Sequence, residues 1–297
     1  MTHMKPDCQI IGAGRAGSAI ARAMTRTGYR FTWVGSRIAD DAERLAKEIG
    51  AGAWGVDFSS FPRPAGFLVI AVPDDNITDV AFEAAEKGIV ERGTTVAAHL
   101  SGSLGSDVLE SLHRSGASVM AFHPAQTFTP ETDSATAFTG IVFDMEGDDG
   151  ACVLGERVAA DLGASAVRLS AEQRAMVHIA LTASSNYTVS LLYMAADIMS
   201  RAGLSSHDAV TMLEALVRAS IDNVFERGAV ASLTGPVSRG DSDIVERHLE
   251  RLEAIDSDYA HAYRSLARIA LRMAVERGDV DGAAADKIRG LLKNGGE

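Results

Sequence analysis

The chain has 297 residues but only two cysteines, two tryptophans and seven prolines, and its formal net charge is −12. Each scarcity narrows the classes open to it. Cys8 and Cys152 lie in apolar surroundings without metal-ligand spacing, so neither a disulfide framework nor a metal site is expected, and a reducing, cytoplasmic setting fits. No long run is purely apolar. The longest stretch, Met176 to Met199, carries His178, Asn186 and several Ser and Thr, which predicts a buried helix rather than a membrane span. Met1 to Asp7 holds no apolar core of signal-peptide length. The acidic balance argues against nucleic-acid and anionic-membrane partners, which select for clustered Lys and Arg. It leaves room for an anionic cofactor, because a phosphate site needs only local donors.

What remains is an ordinary globular composition, 46% hydrophobic and 23% charged, on a chain long enough for two domains. The first half alternates short apolar runs with helical patterns. Strands are expected at Cys8 to Ile11, Phe31 to Val34, Phe67 to Val72, Thr95 to Leu100, Val119 to Phe122, Ile141 to Phe143 and Ala166 to Leu169. Helices are expected at Ser18 to Thr27, Asp40 to Ile49, Ile77 to Lys87, Ser106 to Leu112 and Ala151 to Leu162. Strands joined through helices predict a parallel, doubly wound α/β sheet of Rossmann type. After about Ser170 only helices follow: Ala171 to Arg201, Ser206 to Arg227, Ser242 to Ile255, Ser257 to Arg277 and Asp281 to Leu292. Two domains are therefore expected, 1–169 and an all-α 170–297.

Gly12, Gly14 and Gly17 form G-x-G-x-x-G directly after the first strand and open the first helix. Gly12 suits the tight turn, Gly14 lets backbone approach a pyrophosphate, and Gly17 lets the helix pack on the strand. Gly12, Ala13, Gly14, Arg15, Ala16 and Gly17 are thus the expected cofactor loop, with the helix N-terminus offering free N–H groups. An NAD site usually carries Asp or Glu at the end of the second strand. Here that position reads Gly35-Ser36-Arg37. A hydroxyl beside a guanidinium suits a 2′-phosphate, so the expected cofactor is NADP, and Arg15 is a candidate second cation. The competing reading makes Ser36 a helix cap and Arg37 a solvated charge. Val72 and Pro73 are expected to line the same site, while Asp75 or Asn76 would cap the following helix.

On the substrate side, His99-Leu100-Ser101-Gly102-Ser103 and Phe122-His123-Pro124 each close a strand. Ser101 either orients substrate or builds a turn; His123 either binds substrate or is a satisfied core histidine. His178, Thr182, Ser185 and Asn186 fall at spacing 0, 4, 7 and 8 and share one face of an apolar helix. Unpaired burial of such groups costs about 1–3 kcal/mol each, so they must meet one another, water or a ligand. His178 is the candidate proton donor or acceptor, with Asn186 and Ser101 beside it as catalytic candidates and Ser185 as a substrate contact. Arg239, in the loop Thr234 to Asp241, either holds a substrate carboxylate or lies at a surface or dimer contact. Asp241 is expected to cap the next helix.

Ile11-Gly12-Ala13-Gly14, Gly35-Ser36-Arg37, Ala71-Val72-Pro73-Asp74, His99-Leu100-Ser101-Gly102, Phe122-His123-Pro124, Ser185-Asn186 and Thr234-Gly235-Pro236-Val237-Ser238-Arg239-Gly240-Asp241 occur in that order. Together they resemble a family of Rossmann-like proteins with a C-terminal helical domain of unknown function. The wider group it is similar to includes 6-phosphogluconate dehydrogenase, 3-hydroxyisobutyrate dehydrogenase, pyrroline-5-carboxylate reductase, ketopantoate reductase and deazaflavin-dependent NADP reductases. The resemblance implies a helical domain that makes a homodimer and a substrate site between domains. It implies an NADP-dependent oxidoreductase of a small carboxylated carbonyl compound, with ketopantoate as the specific expectation. A cyclic-imine reductase and a non-catalytic NADP(H) sensor are the alternatives. The hydroxyacid dehydrogenases pair a catalytic Lys with Asn on the interdomain helix. This chain has no lysine between Lys87 and Lys287, and His178 and Asn186 occupy that helix instead.

Overall fold

The computed structural model describes residues 5–130, 132 and 134–293. It divides into two compact units, one ending at Ser184 and the other starting at Ser185. In the first unit β1 (Asp7–Ile11), α1 (Arg15–Arg26), β2 (Arg30–Gly35), α2 (Ala39–Ile49), β3 (Ala53–Gly55), β4 (Phe67–Ile70), α3 (Ile77–Glu86), β5 (Val96–His99), α4 (Glu110–Arg114), β6 (Ser118–Pro124), β7 (Val142–Gly147), α5 (Asp149–Asp161) and β8 (Ser165–Arg168) follow in order. Between β5 and α4 the expected helix from Ser106 begins as a 3-10 turn over Ser106–Leu109. The strands form one sheet in the order β3-β2-β1-β4-β5-β6-β7-β8. This is the expected α/β Rossmann-like architecture.

Alternation along the strands explains why the sheet is covered on both sides. Phe67 and Val69 enter one core with Cys8, Ile10, Ile20 and Leu45, whereas Leu68 and Ile70 enter a second with Ile11, Trp33, Ile77 and Leu109. All four residues of β4 are buried, as an interior parallel strand requires.

Two features depart from the sequence expectation. β3 is an added short strand, three residues long, paired with β2. More consequentially, β7 runs antiparallel to β6 while every other pairing is parallel. No helix intervenes between β6 and β7 among the described residues, so the chain returns without the crossover that parallel pairing needs.

α6 (Ala171–Arg201) leaves the first unit and runs on into the second, joined there by α7 (Ser206–Arg227), α8 (Ala229–Ser232), α9 (Ser242–Ile255), α10 (Ser257–Arg277) and α11 (Gly282–Leu291). Val245, Leu249, Leu271, Ala274 and Ile288 build the core of the second unit from α9, α10 and α11. The expectation of a buried helix over Met176 to Met199 is corrected. Arg174 is the one buried residue of α6, and Met176, Ile179, Val189 and Tyr193 are exposed in the single chain. Among the described residues no helix is long and apolar enough to cross a membrane.

Candidate functional site

The glycine loop forms because its neighbours leave no room for side chains. Gly12 has φ +111°, and a Cβ there would lie 2.2 Å from the Ala71 carbonyl oxygen. Its N–H donates to the Gly35 carbonyl at 2.7 Å, tying β1 to the end of β2. A Cβ on Gly17 would meet the Gly12 oxygen at 2.1 Å, so glycine lets α1 sit directly on the loop. Around Gly14 nothing lies within 4 Å of that position. The loop is closed on its protein side and open at Gly14, where α1 begins with no acidic residue in its first turn. Its first N–H groups have no partner within the helix and can meet an anion.

Beside this loop lies a cleft of about 350 Å³, lined by Gly12, Ala13, Gly14, Ser36, Arg37, Val72 and Pro73 among others. Seven of the ten expected cofactor residues therefore share one concave surface. Gly17 and the half-buried Ala16 sit behind it, in α1. Arg15 lines a neighbouring depression with Arg22, Arg44 and Thr129. The Ser36 hydroxyl accepts from the Ile38 N–H at 3.2 Å, a local turn, and the N-cap of α2 is Ile38. Its O–H remains free to donate outward. Arg37 is exposed and, among the described residues, has no ion-pair partner. Nor does Asn76 cap α3 through its side chain; a 3-10 turn over Asp74–Asn76 leads into that helix instead.

The loop after β5 is held by a saturated network. Ser101 Oγ donates to Asp74 Oδ2 at 2.8 Å and accepts the N–H groups of Ser103 and Leu104 at 3.1 and 3.2 Å. Ser103 Oγ reaches the same carboxylate oxygen at 2.6 Å. One donor and two acceptor sites exhaust a hydroxyl, so Ser101 holds the loop to the end of β4. His99 is fully buried beneath it. Its Nδ1 accepts the Ser101 N–H at 3.2 Å, which leaves Nε2–H to donate to the Gly105 carbonyl at 2.9 Å. Burial holds its pKa below the ordinary histidine value.

His123 and Asp144 stand opposite each other in the antiparallel β6–β7 pair. His123 Nδ1 lies 2.7 Å from Asp144 Oδ2, and the other carboxylate oxygen pairs with Arg174 Nη1. Arg174, 2% exposed, also donates to the carbonyls of Ser101 at 2.7 Å and Leu104 at 3.1 Å. Burial pulls the guanidinium below its usual range, and Asp144 opposes that shift. One turn further along α6 is His178, its ring 6.3 Å from that of His123 and nearly perpendicular. His178 Nδ1 is buried and without a hydrogen-bond partner. A Cβ on Gly102 would lie 2.8 Å from both His123 Nε2 and His178 Nδ1. The expected residues His123 and His178 thus meet at one point. Asp144 and Arg174 escaped the sequence reading. Arg174 was within reach of it, because it precedes His178 by four residues on the same stripe; Asp144 required the antiparallel register.

Ser185, Asn186 and Arg239 belong to the second unit. Arg239 Nε donates to Asp241 Oδ2 at 2.9 Å, and its side chain is 59% exposed in a depression shared with Thr234, Ser238 and Arg277. Asp241 occupies the N-cap position of α9 but makes no side-chain cap; its Oδ2 accepts from Arg239 instead.

Residues 2–124 match the model of a Rossmann-like domain, and residues 141–270 match the one described as a domain of unknown function, DUF2520. No curated protein matches the chain. Among solved structures, a candidate NADP oxidoreductase from Bacteroides fragilis superimposes with TM-score 0.75 at 23% identity, over 90% of this chain and 98% of that one. An imine reductase from Myxococcus stipitatus in complex with NADP+ gives 0.64 at 18%, over 95% and 99%. A pyrroline-5-carboxylate reductase from Coxiella burnetii gives 0.59 at 18%, over 98% and 100%. At these identities the likeness is one of fold.

Proposed function

We propose that the chain is an NADP(H)-dependent oxidoreductase that reduces a polarised C=O or C=N bond in a small carboxylated substrate. The observation that carries this is the cleft itself, where the open Gly14, the α1 N-terminus, the Ser36 hydroxyl and an unpaired Arg37 line one surface. Those groups fit a dinucleotide with a 2′-phosphate: backbone N–H for the pyrophosphate, a hydroxyl and a guanidinium for the extra charge. The bound nicotinamide would supply hydride.

The chain's own residues must then supply a proton and hold the substrate. The imidazoles of His123 and His178, facing Gly102, are the groups in the first unit suited to the proton. Ser101 acts by fixing the loop that carries Gly102, because its hydroxyl has no capacity left. Ser185, Asn186 and Arg239 are the substrate residues of the second unit, on the ground of their residue types and spacing. Ketopantoate is the carbonyl candidate. A cyclic imine is the second reading, favoured by the fold shared with pyrroline-5-carboxylate and imine reductases and by the missing lysine.

We also infer a homodimer through the helical unit. α6 and α7, 31 and 22 residues long, each have one buried residue in the single chain. Tyr187, Val189, Tyr193, Met212, Leu216 and Phe225 are all more than half exposed. Apolar surface on this scale marks an interaction site, and the resemblance points to a second copy.

The test is NADPH absorbance with the purified protein against a panel of 2-oxo acids, ketopantoate included, and cyclic imines. Turnover of one class and not the other assigns the bond reduced. Arg37→Ala should raise the NADPH Kd about 10- to 100-fold, the loss of charge-assisted hydrogen bonds worth about 1.5–3 kcal/mol, and leave NADH binding unchanged. Equal affinity for NADH and NADPH, untouched by Arg37→Ala, would overturn the cofactor assignment. Tight NADPH binding without turnover across the panel would favour the sensor.

A further inference from the structure

Two imidazoles face Gly102, and their surroundings differ. His123 has a carboxylate behind it: its Nδ1 is 2.7 Å from Asp144 Oδ2. The second oxygen of Asp144 is occupied by the Arg174 guanidinium, and Arg174 is itself clamped by the carbonyls of Ser101, Leu104 and Asp144. Arg174 thus holds Asp144 with its Oδ2 turned to His123. A carboxylate accepts only, so His123 must present Nδ1–H to it, and Nε2 becomes the nitrogen turned toward Gly102. When the ring carries both protons, Nδ1–H points to Asp144 and Nε2–H points toward Gly102. His178 has no such support: its Nδ1 is buried, unpartnered and 2.8 Å from the same point.

We propose that His123 is the proton donor of the reduction, that Asp144 and Arg174 are its positioning residues, and that Gly102, by lacking a side chain, lets both imidazoles pack against the loop. The assignment rests on the reductase reading above. The bound nicotinamide would supply hydride to the substrate carbon; as the C=O or C=N π pair moves onto the heteroatom, His123, starting with protons on both nitrogens, gives it the Nε2 proton. The substrate would leave as an alcohol or amine and the cofactor in its oxidised form, and His123 is left with Nδ1–H on Asp144 and takes its next proton from water.

Arg174 makes the arrangement testable through Asp144→Asn. The guanidinium only donates, so it takes the amide oxygen and turns the amide NH2 toward His123. Nδ1 must then accept, and the neutral ring carries its proton on Nε2, where it is a weak acid.

Histidine tautomers read by 15N NMR, together with NADPH-monitored kinetics on the panel substrate turned over fastest, decide between these roles. The wild type should show His123 as the Nδ1–H form when neutral, and Asp144→Asn the Nε2–H form. His123→Gln should lower kcat about 100-fold or more with the NADPH Kd within twofold of wild type. Gly102→Ala should do likewise, because its methyl group falls between the two rings. Gly102 has no positive φ, so that variant tests space rather than backbone. If Asp144→Asn does not fold, the wild-type tautomer and the other two variants still decide. A wild-type Nε2–H tautomer, or kcat within threefold after His123→Gln, overturns the proposal while leaving the reductase reading intact. Absence of wild-type turnover with intact NADPH binding removes the reductase reading and the proton-donor role with it.

Discussion

A fully buried imidazole is costly to charge, and His99 carries that cost at the heart of the loop after β5. Its Nδ1 already accepts a backbone N–H and its Nε2–H already donates, so the neutral form satisfies both nitrogens. Protonation would force a second N–H against the Ser101 N–H. Burial lowers its folded-state pKa beneath the ordinary histidine value of 6.5. A depressed pKa means that the unfolded chain binds the proton more readily. The stabilisation is therefore complete above about pH 6.5 and is lost as pH falls toward the folded value. His99→Gln should fold less stably at pH 8 but show a flatter decline in Tm between pH 7 and pH 5; a decline as steep as wild type would remove His99 as its source. Individual residues were legible in the sequence where chemistry is local. Gly12 and Gly17 announced themselves by spacing, and Ser36-Arg37 by standing where an acid is usual. Ser101 was legible as a position but not as a role, because nothing in the sequence says that Asp74 and two backbone N–H groups saturate its hydroxyl.

At the scale of elements, local periodicity carried further than pairing. The helices of the second half were readable from apolar spacing and terminal glycines, with Gly278 at the C-cap of α10 in the left-handed region. Strand direction was not, since it depends on what connects the strands. Reading β7 as parallel hides Asp144; the antiparallel register puts it directly across from His123. The same scale governs Gly12, which is a junction of β1, β2 and β4 more than a residue on its own. Its N–H is bonded to Gly35, and a Cβ would strike Ala71. Gly12→Ala places a side chain in a strained φ region at a cost of about 1–3 kcal/mol before the clash is counted. For a unit of this size each kcal/mol lowers Tm by about 2–4 °C. The expected result is a Tm several degrees below wild type and an NADPH Kd raised at least tenfold; unchanged NADPH binding would show that the loop does not hold the pyrophosphate.

For the whole molecule the decisive quantity is apolar surface left without a cover. Periodicity read Met176 to Met199 as a buried helix, and its composition is that of one, yet in the single chain Tyr187, Val189 and Tyr193 are exposed. A sequence pattern reports that a face is to be covered and is silent on which chain covers it. The same holds for α7, where Met212, Leu216 and Phe225 are exposed and Ala209 alone is buried. Each fully buried side chain of this kind contributes about 1.5–3 kcal/mol, so covering both helices with a second copy would outweigh a substantial association cost. Phe225, 85% exposed, is the most sensitive probe, since in a lone chain its replacement touches almost nothing. Light scattering after gel filtration should give twice the chain mass for the wild type, and Tm should rise with protein concentration. Phe225→Glu with Leu216→Glu should shift the mass toward that of one chain and abolish the concentration dependence, because two carboxylates cannot be buried unpaired in an apolar interface. A wild type that elutes as a monomer at all concentrations, or a double variant that stays at twice the chain mass, would place the contact elsewhere.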